Sequence, residues 1–358
     1  MTIQKTSLHE EHVSLNAKMA PFAGFDMPLQ YTSVKEEVQA VRTHAGVFDV
    51  SHMGEFLVVG ADAVNFVDFI VTNDFKNAEN LKAVYSPLCR DNGTIIDDLI
   101  AYKLAEDRVL ICVNASNIKK DWDWISSKIS NFKCTIENQS DDYSLLAVQG
   151  PESEKILKEV GVLKAVDFPY YSILETVFEG EKLIIARTGY TGEDGFEIFS
   201  SHNFAKSFWK KLLSLGVKPC GLAARDVLRL EVCYPLYGHE LNDEVTPLDA
   251  GLAWTVKLTK EAFIGKSALL DYKPRYQLVK LSLERGIPRE GYDVLDANHN
   301  LIGKITSGTM SVVTGKGIAM ALIEKDKNPK DKKYVINIRN TNYEANFHTK
   351  AFITGGHK

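Results

Sequence analysis

After about residue 275 the chain settles into short runs, "YQLVKLSLE", "NLIGKITSG", "GKGIAMALI", "YVINIRN" and "TKAFITG". Each is rich in β-branched or aromatic residues and bounded by turn-forming ones. Such regular punctuation predicts a separate C-terminal β-barrel or sandwich. The Lys/Asp-rich "EKDKNPKDKK" between two of these runs reads as a solvated loop. With 358 residues in all, the preceding stretch is long enough for one or two further cores.

That stretch mixes helix and strand patterns. "SVKEEVQAVRTHAG" has helical spacing and a stop signal at Gly46, and "ADAVNFVDFIV" and "NIKKDWDWISSKI" are also amphipathic. "HNFAKSFWKKLLSLG" is a further periodic helix ending at Gly216. "VFDVSHMGEFLVVG" reads as two strands around Ser51-His52, and Asp91-Asn92-Gly93 as a hairpin turn between "VYSPLC" and "TIIDDLIAY".

A net charge of −5 argues against a general nucleic-acid binder. The five cysteines include no CxxC pair, so neither a disulfide framework nor a thiolate zinc site is expected. The histidines form no HExxH, and Ser51-His52 lacks a GxSxG elbow, which removes a metal enzyme and a serine hydrolase. "MTIQKTSLHEEH" resembles no targeting signal, and no apolar run reaches the ~20 residues of a membrane span. The expectation is a cytoplasmic protein with no membrane contact.

Three stretches could carry chemistry. In "GTIIDDLIAY" two acids sit inside an apolar strand. Alternation puts Asp97 with Ile95, Leu99 and Ala101, and Asp98 with Ile96, Ile100 and Tyr102, so one carboxylate must be paired, hydrated or employed. In "ARTGYTGEDGFEIF" the glycines match neither GxGxxG nor a P-loop, but Glu197 is wedged between Phe196 and Ile198. Its two oxygens suit a ligand edge presenting parallel N–H donors, as pterin and guanine do. "CGLAARDVLRLEVC" reads as a helix with an Ala223, Val227, Leu230 stripe and with Arg225 and Arg229 one turn apart on another face.

Together with "FAGFDMPLQY", "GVFDVSHMGEF", "LLAVQGP", "YPLYGHEL" and "SGTMSVVTGKGIAMA", these stretches resemble, in order along the chain, the T-protein aminomethyltransferase family of the glycine cleavage system. The resemblance implies an α+β, three-domain cloverleaf-like folate-binding fold. Residues 1–52 and 137–272 would form a discontinuous first domain, 53–136 an inserted second one, and 273–358 the β-barrel. It implies transfer of an aminomethyl carbon from the dihydrolipoyl arm of the H protein to tetrahydrofolate, the co-substrate, with release of ammonia. Asp98 falls at the family's catalytic position, where a carboxylate would stabilise a cationic, iminium-like species and assist proton transfer. Glu197 and Arg229 match ligand-binding positions, Tyr85, Tyr102, Tyr170 and Tyr190 match the aromatic channel, and Met53 and Asn114 fall beside it. A demethylase or a non-catalytic folate-binding protein on the same fold is the alternative, and Asp98, Glu197 and Arg229 together favour the transferase. Two departures stand out: Phe25 replaces a common Trp, and "TKAFITGGHK" has no Tyr after Phe352.

Overall fold

The computed structural model describes residues 3–164 and 168–356. It is built on two large open sheets and a barrel, with a small two-stranded sheet, Lys18–Phe22 with Phe25–Gln30, beside them. The first sheet has six strands in the order Ile173–Phe178, Glu181–Ala186, Gly195–Ser200, Ser144–Gln149, Gly46–Asp49 and Lys218–Pro219. Only the last pair is parallel. The chain leaves this sheet after Asp49, builds a second, and returns at Ser144. That second sheet is antiparallel, ordered Lys82–Cys89, Ile95–Ala105, Arg108–Val113, Gly54–Val59 and Thr135–Asn138.

The cores follow from which faces are apolar. The helices Ser153–Val160 and His202–Ser214 bury Ile156, Leu157, Phe208, Trp209 and Leu212 against one face of the six-stranded sheet. The helices Ala63–Ile70 and Ile118–Lys128 cover the outer face of the five-stranded sheet. The inner faces of the two sheets share a cluster in which Phe48, Ala147 and Phe199 meet Tyr102, Leu110 and Cys112. Helix Leu222–Glu231 adds Ala224, Val227 and Leu228 to that cluster. Backbone bonds from Ala83 to Tyr171 and from Ile173 to Leu81, both under 3 Å at 2.9 and 2.8 Å, stitch the sheets together.

The third unit is a closed six-stranded barrel, Tyr276–Leu283 pairing with both Gly317–Glu324 and Thr341–His348. The expected barrel is present, and its first strand begins where the composition changes. Its last strand is Thr341–His348; "TKAFITG" instead runs on as irregular chain, and the short strand Asp293–Leu295 has no counterpart in the reading above. Helix Val34–Thr43 likewise stops earlier than expected, and Gly46 opens a strand. Glycine is needed at 46 for space: a Cβ would lie 2.6 Å from Val41 and 2.7 Å from the Cys220 sulfur.

Candidate active site

A cavity of about 1330 Å³ opens where the two sheets, helix Leu222–Glu231 and the barrel converge. Asp98, Glu197, Arg229, Tyr85, Tyr102, Tyr170, Tyr190, Met53 and Asn114 all line it. A pocket this large and this aromatic is what a planar, drug-sized ligand requires.

Asp98 reaches the cavity by the regular alternation of its strand, which carries a bulge just before it. Pairing with Lys82–Cys89 slips by one residue between Leu88 and Cys89, so Ile96 has no direct partner. Beyond the bulge the alternation is regular. Leu99 and Ala101 pack with the outer-face core, while Asp98, Ile100 and Tyr102 line the cavity. At the bulge the simple alternation fails: Ile96 packs with Leu99 and Ala101, and Ile95 lies on the side of Tyr85. A bulge re-aims side chains in this way at many functional sites.

Asp98 is held from both ends. Its Oδ2 accepts the Tyr85 hydroxyl at 3.0 Å, and its Oδ1 accepts the Asn114 amide at 2.9 Å. Burial, then the charge of Asp97, push its carboxyl up to about 7. The group is thus poised to take or give a proton near neutral pH. Asp97 has the contrasting setting. It is fully buried and accepts the backbone N–H of Asn114 at 3.1 Å, its side-chain amide at 2.8 Å and the Asn117 amide at 2.7 Å.

Glu197 projects from strand Gly195–Ser200, and its Oε2 accepts the Thr188 hydroxyl at 2.5 Å. The glycine-rich stretch before it is a rigid wall. Arg187 grips Asp194 at 2.7 and 2.9 Å, and Gly189 and Gly195 pack so tightly on Gln149 that a Cβ would come within 2.0 and 2.4 Å of its amide. The Tyr190 hydroxyl donates to the Pro235 carbonyl, leaving its ring on the cavity wall. Tyr85 stacks on Trp254 with ring centroids 6.1 Å apart. Tyr102 meets Phe199 edge to face, and Tyr170 packs against Tyr171 in the same way.

The arginines divide differently from the sequence reading. Arg229 lines the cavity, but its guanidinium is engaged by Asp226, Glu240, the Tyr234 carbonyl and the Ser307 hydroxyl. Arg225 lies over the Tyr190 ring at 5.0 Å, and its buried Nη1 has no partner among the described residues. Its pKa is lowered, by burial first, while Glu197 opposes that shift. Helical spacing could not distinguish these two, because both arginines point the same way and only their partners differ. His52 also lines the cavity with an unpartnered Nδ1; burial lowers it to about 4, so it is neutral.

Comparison with known proteins gives this cavity its context. Residues 8–260 match the family description "GCVT N-terminal domain", and residues 277–353 match "Glycine cleavage T-protein C-terminal barrel domain". The chain belongs to the glycine cleavage T-protein family. An aminomethyltransferase of Thermotoga petrophila is 48% identical over 330 residues, 90% of either chain. One from Staphylococcus epidermidis is 44% identical over 349 residues, 96% of either chain. The crystal structure of a glycine cleavage system aminomethyltransferase from Bartonella henselae superposes with a TM-score of 0.93 at 32% identity, covering 99% of both chains. Phe352, after which the sequence reading found no Tyr, is set edge to face against His348, with centroids 5.2 Å apart. Among the described residues no cluster of metal-ligating groups occurs, and no helix is long and apolar enough to cross a membrane.

Proposed function

We propose that this chain is the aminomethyltransferase of a glycine cleavage system, with Asp98 as the group that moves the proton. The observation that carries the reading is the separation of two chemistries on one cavity wall. At one place a carboxyl poised near pH 7 is fixed by Tyr85 and Asn114. At another, Glu197 offers acceptor oxygens beside the unpartnered N–H of Arg225.

Tetrahydrofolate fits this arrangement as substrate. Its pterin edge presents adjacent N–H donors, which a carboxylate accepts in parallel, and a carbonyl that a guanidinium can meet. We assign the first role to Glu197 and the second to Arg225 in place of Arg229, whose donors are spent within the protein. Tyr85, Tyr102, Tyr170, Tyr190 and Met53 would supply the flat walls, and Asn114 would orient Asp98. In the reaction the S–CH2–NH2 carbon becomes bonded to two folate nitrogens, and their two protons leave with the ammonia and the freed thiol. Asp98 can accept a folate N–H proton and deliver it to the leaving amine, and its negative charge favours the positive charge that develops on carbon. The carrier is read as the lipoyl-bearing H protein, and the setting as the cytoplasm. We read the chain as three domains near the expected bounds, 1–52 with 137–272, 53–136, and 273–358, with the first return drawn after Asn138, since Thr135–Asn138 pairs with Gly54–Val59 in the second sheet and the chain rejoins the six-stranded sheet at Ser144.

The test is ammonia release measured with purified protein. It should require both tetrahydrofolate and an aminomethylated lipoyl carrier. Release of a one-carbon unit from a methylated amine without any lipoyl compound would contradict the proposal and indicate a demethylase.

A further inference from the structure

Behind the cavity wall a third carboxyl stands in the same cluster. Asp121, in the first turn of helix Ile118–Lys128, is fully buried and touches the Asp97 side chain. Apart from that carboxyl–carboxyl contact, neither oxygen of Asp121 has a hydrogen-bond partner among the described residues. Two carboxyls buried in contact cannot both be ionised, so one keeps a proton. Asp97 accepts three N–H bonds and Asp121 none, so the charge resides on Asp97 and the proton on Asp121.

We infer that Asp121 is a positioning residue for Asp98, donating its retained proton to Asp97 and acting onward through the Asn114 amide. The linkage is continuous. The Asn114 side-chain nitrogen donates to Asp97 at 2.8 Å and to Asp98 at 2.9 Å, one amide bridging both carboxylates. An anion on Asp97 fixes that amide, and the amide fixes Asp98 against Tyr85. The same anion raises the affinity of Asp98 for a proton. Asp121 itself is pushed up to about 11, by burial first and then by Asp97.

The surrounding groups do not supply a competing proton partner. Lys120, beside Asp121 on the helix, points to the Tyr237 hydroxyl at 2.7 Å. Tyr237 faces Asp97 and donates to Asp243 at 2.9 Å. Tyr190 faces Asp98 from the glycine-rich wall with its hydroxyl on Pro235.

The inference rests on the reading of Asp98 as the proton-transfer group, and its test separates the two. Asp121→Asn keeps shape and presents an N–H in place of the O–H. Asp121→Ala removes the donor. The infrared spectrum of the wild type minus that of Asp121→Asn at pH 8 should show a neutral carboxylic acid C=O band, the bands of carboxyls common to both proteins, such as buried Glu55, cancelling. Turnover of Asp121→Asn should stay within roughly threefold, with its acidic limb still near pH 7. Asp121→Ala should lose on the order of tenfold in kcat with KM for tetrahydrofolate little changed, and its acidic limb should move. If the Ala variant does not fold, the infrared band and Asp121→Asn decide. No carboxylic acid band in the wild type minus Asp121→Asn spectrum, an Asn variant with a displaced limb or tenfold-lower turnover, or an Ala variant with wild-type turnover and limb would each overturn the inference. Unchanged turnover in Asp98→Asn would overturn the reading of Asp98 instead, whatever the infrared band shows of Asp121, and the positioning role would fall with it.

Discussion

Asp97 and Asp98 are adjacent, and their surroundings give them different work. Asp97 is a saturated acceptor, so Asp97→Asn would turn an oxygen that receives N–H bonds into a donor facing donors. It should destabilise the fold by about 1–3 kcal/mol in urea titrations. Asp98 carries the opposite linkage. Its folded carboxyl titrates near 7 against the ordinary 3.8, so the folded state holds a proton that the unfolded state releases. Stability therefore falls as pH rises between about 4 and 7, by about 4 kcal/mol at most. Asp98→Asn should flatten that fall, as should Glu55→Gln, whose buried carboxyl is raised by the same desolvation. A steeper loss of stability with pH in the variants than in the wild type would reverse the sign argued here. The acids themselves were legible as an anomaly in an apolar strand, and alternation placed Leu99, Ile100, Ala101 and Tyr102 on their observed sides. It misplaced Ile95 and Ile96, because a bulge depends on the partner strand and leaves no mark on the residue pattern.

At the scale of an element, helix Leu222–Glu231 shows where pattern stops being informative. Spacing put Arg225 and Arg229 on one face and did not say which way that face turns. The helix turns that face inward, because Ala224, Val227 and Leu228 must pack on the sheets and the barrel covers the rest. Arg229 is spent on Glu240 and Ser307, and Arg225 is left with an N–H in the cavity. The consequence is a split phenotype. Arg229→Met would strand Glu240 buried without its partner and should cost about 3–5 kcal/mol of stability. Arg225→Met should leave the fold intact and weaken tetrahydrofolate binding by roughly 1.5–3 kcal/mol, read by calorimetry. Glu197→Gln should weaken it by about 1–3 kcal/mol for the complementary reason. Equal binding losses in both arginine variants, with equal stability, would return the ligand role to Arg229.

Over the whole molecule, the cavity exists because three cores meet. Glu231 ties the barrel to the rest by accepting Arg42 at 2.8 Å together with the Ser311 hydroxyl and the backbone N–H of Val312 and Val313 at 2.8 to 3.1 Å. The barrel could be read from its short β runs and the turns between them, although its first strand pairs with two strands far along the chain. The insertion of one sheet within another could not, because Asp49 pairs with Leu146 across a long excursion that periodicity does not record. With Arg225 inward, any charge attraction for the proposed lipoyl carrier must come from surface cations such as Lys119, which already shares its charge with Asp123 at 2.6 Å. Docking should therefore be weak and salt-sensitive: the KM for the protein carrier should rise with ionic strength while that for a small aminomethyl-dihydrolipoamide barely moves. Equal responses would remove the docking charge from the account.

The central claim is that Asp98 moves the proton during carbon transfer to folate. The most direct measurement is the pH profile of ammonia release under saturating tetrahydrofolate and aminomethylated carrier, for the wild type and Asp98→Asn. The account predicts a wild-type rate that falls below about pH 7, as the carboxyl takes up its proton, and a variant slower by about 10²–10⁴ in which that limb is gone. The same limb in both proteins, or a variant as fast as the wild type, would contradict it.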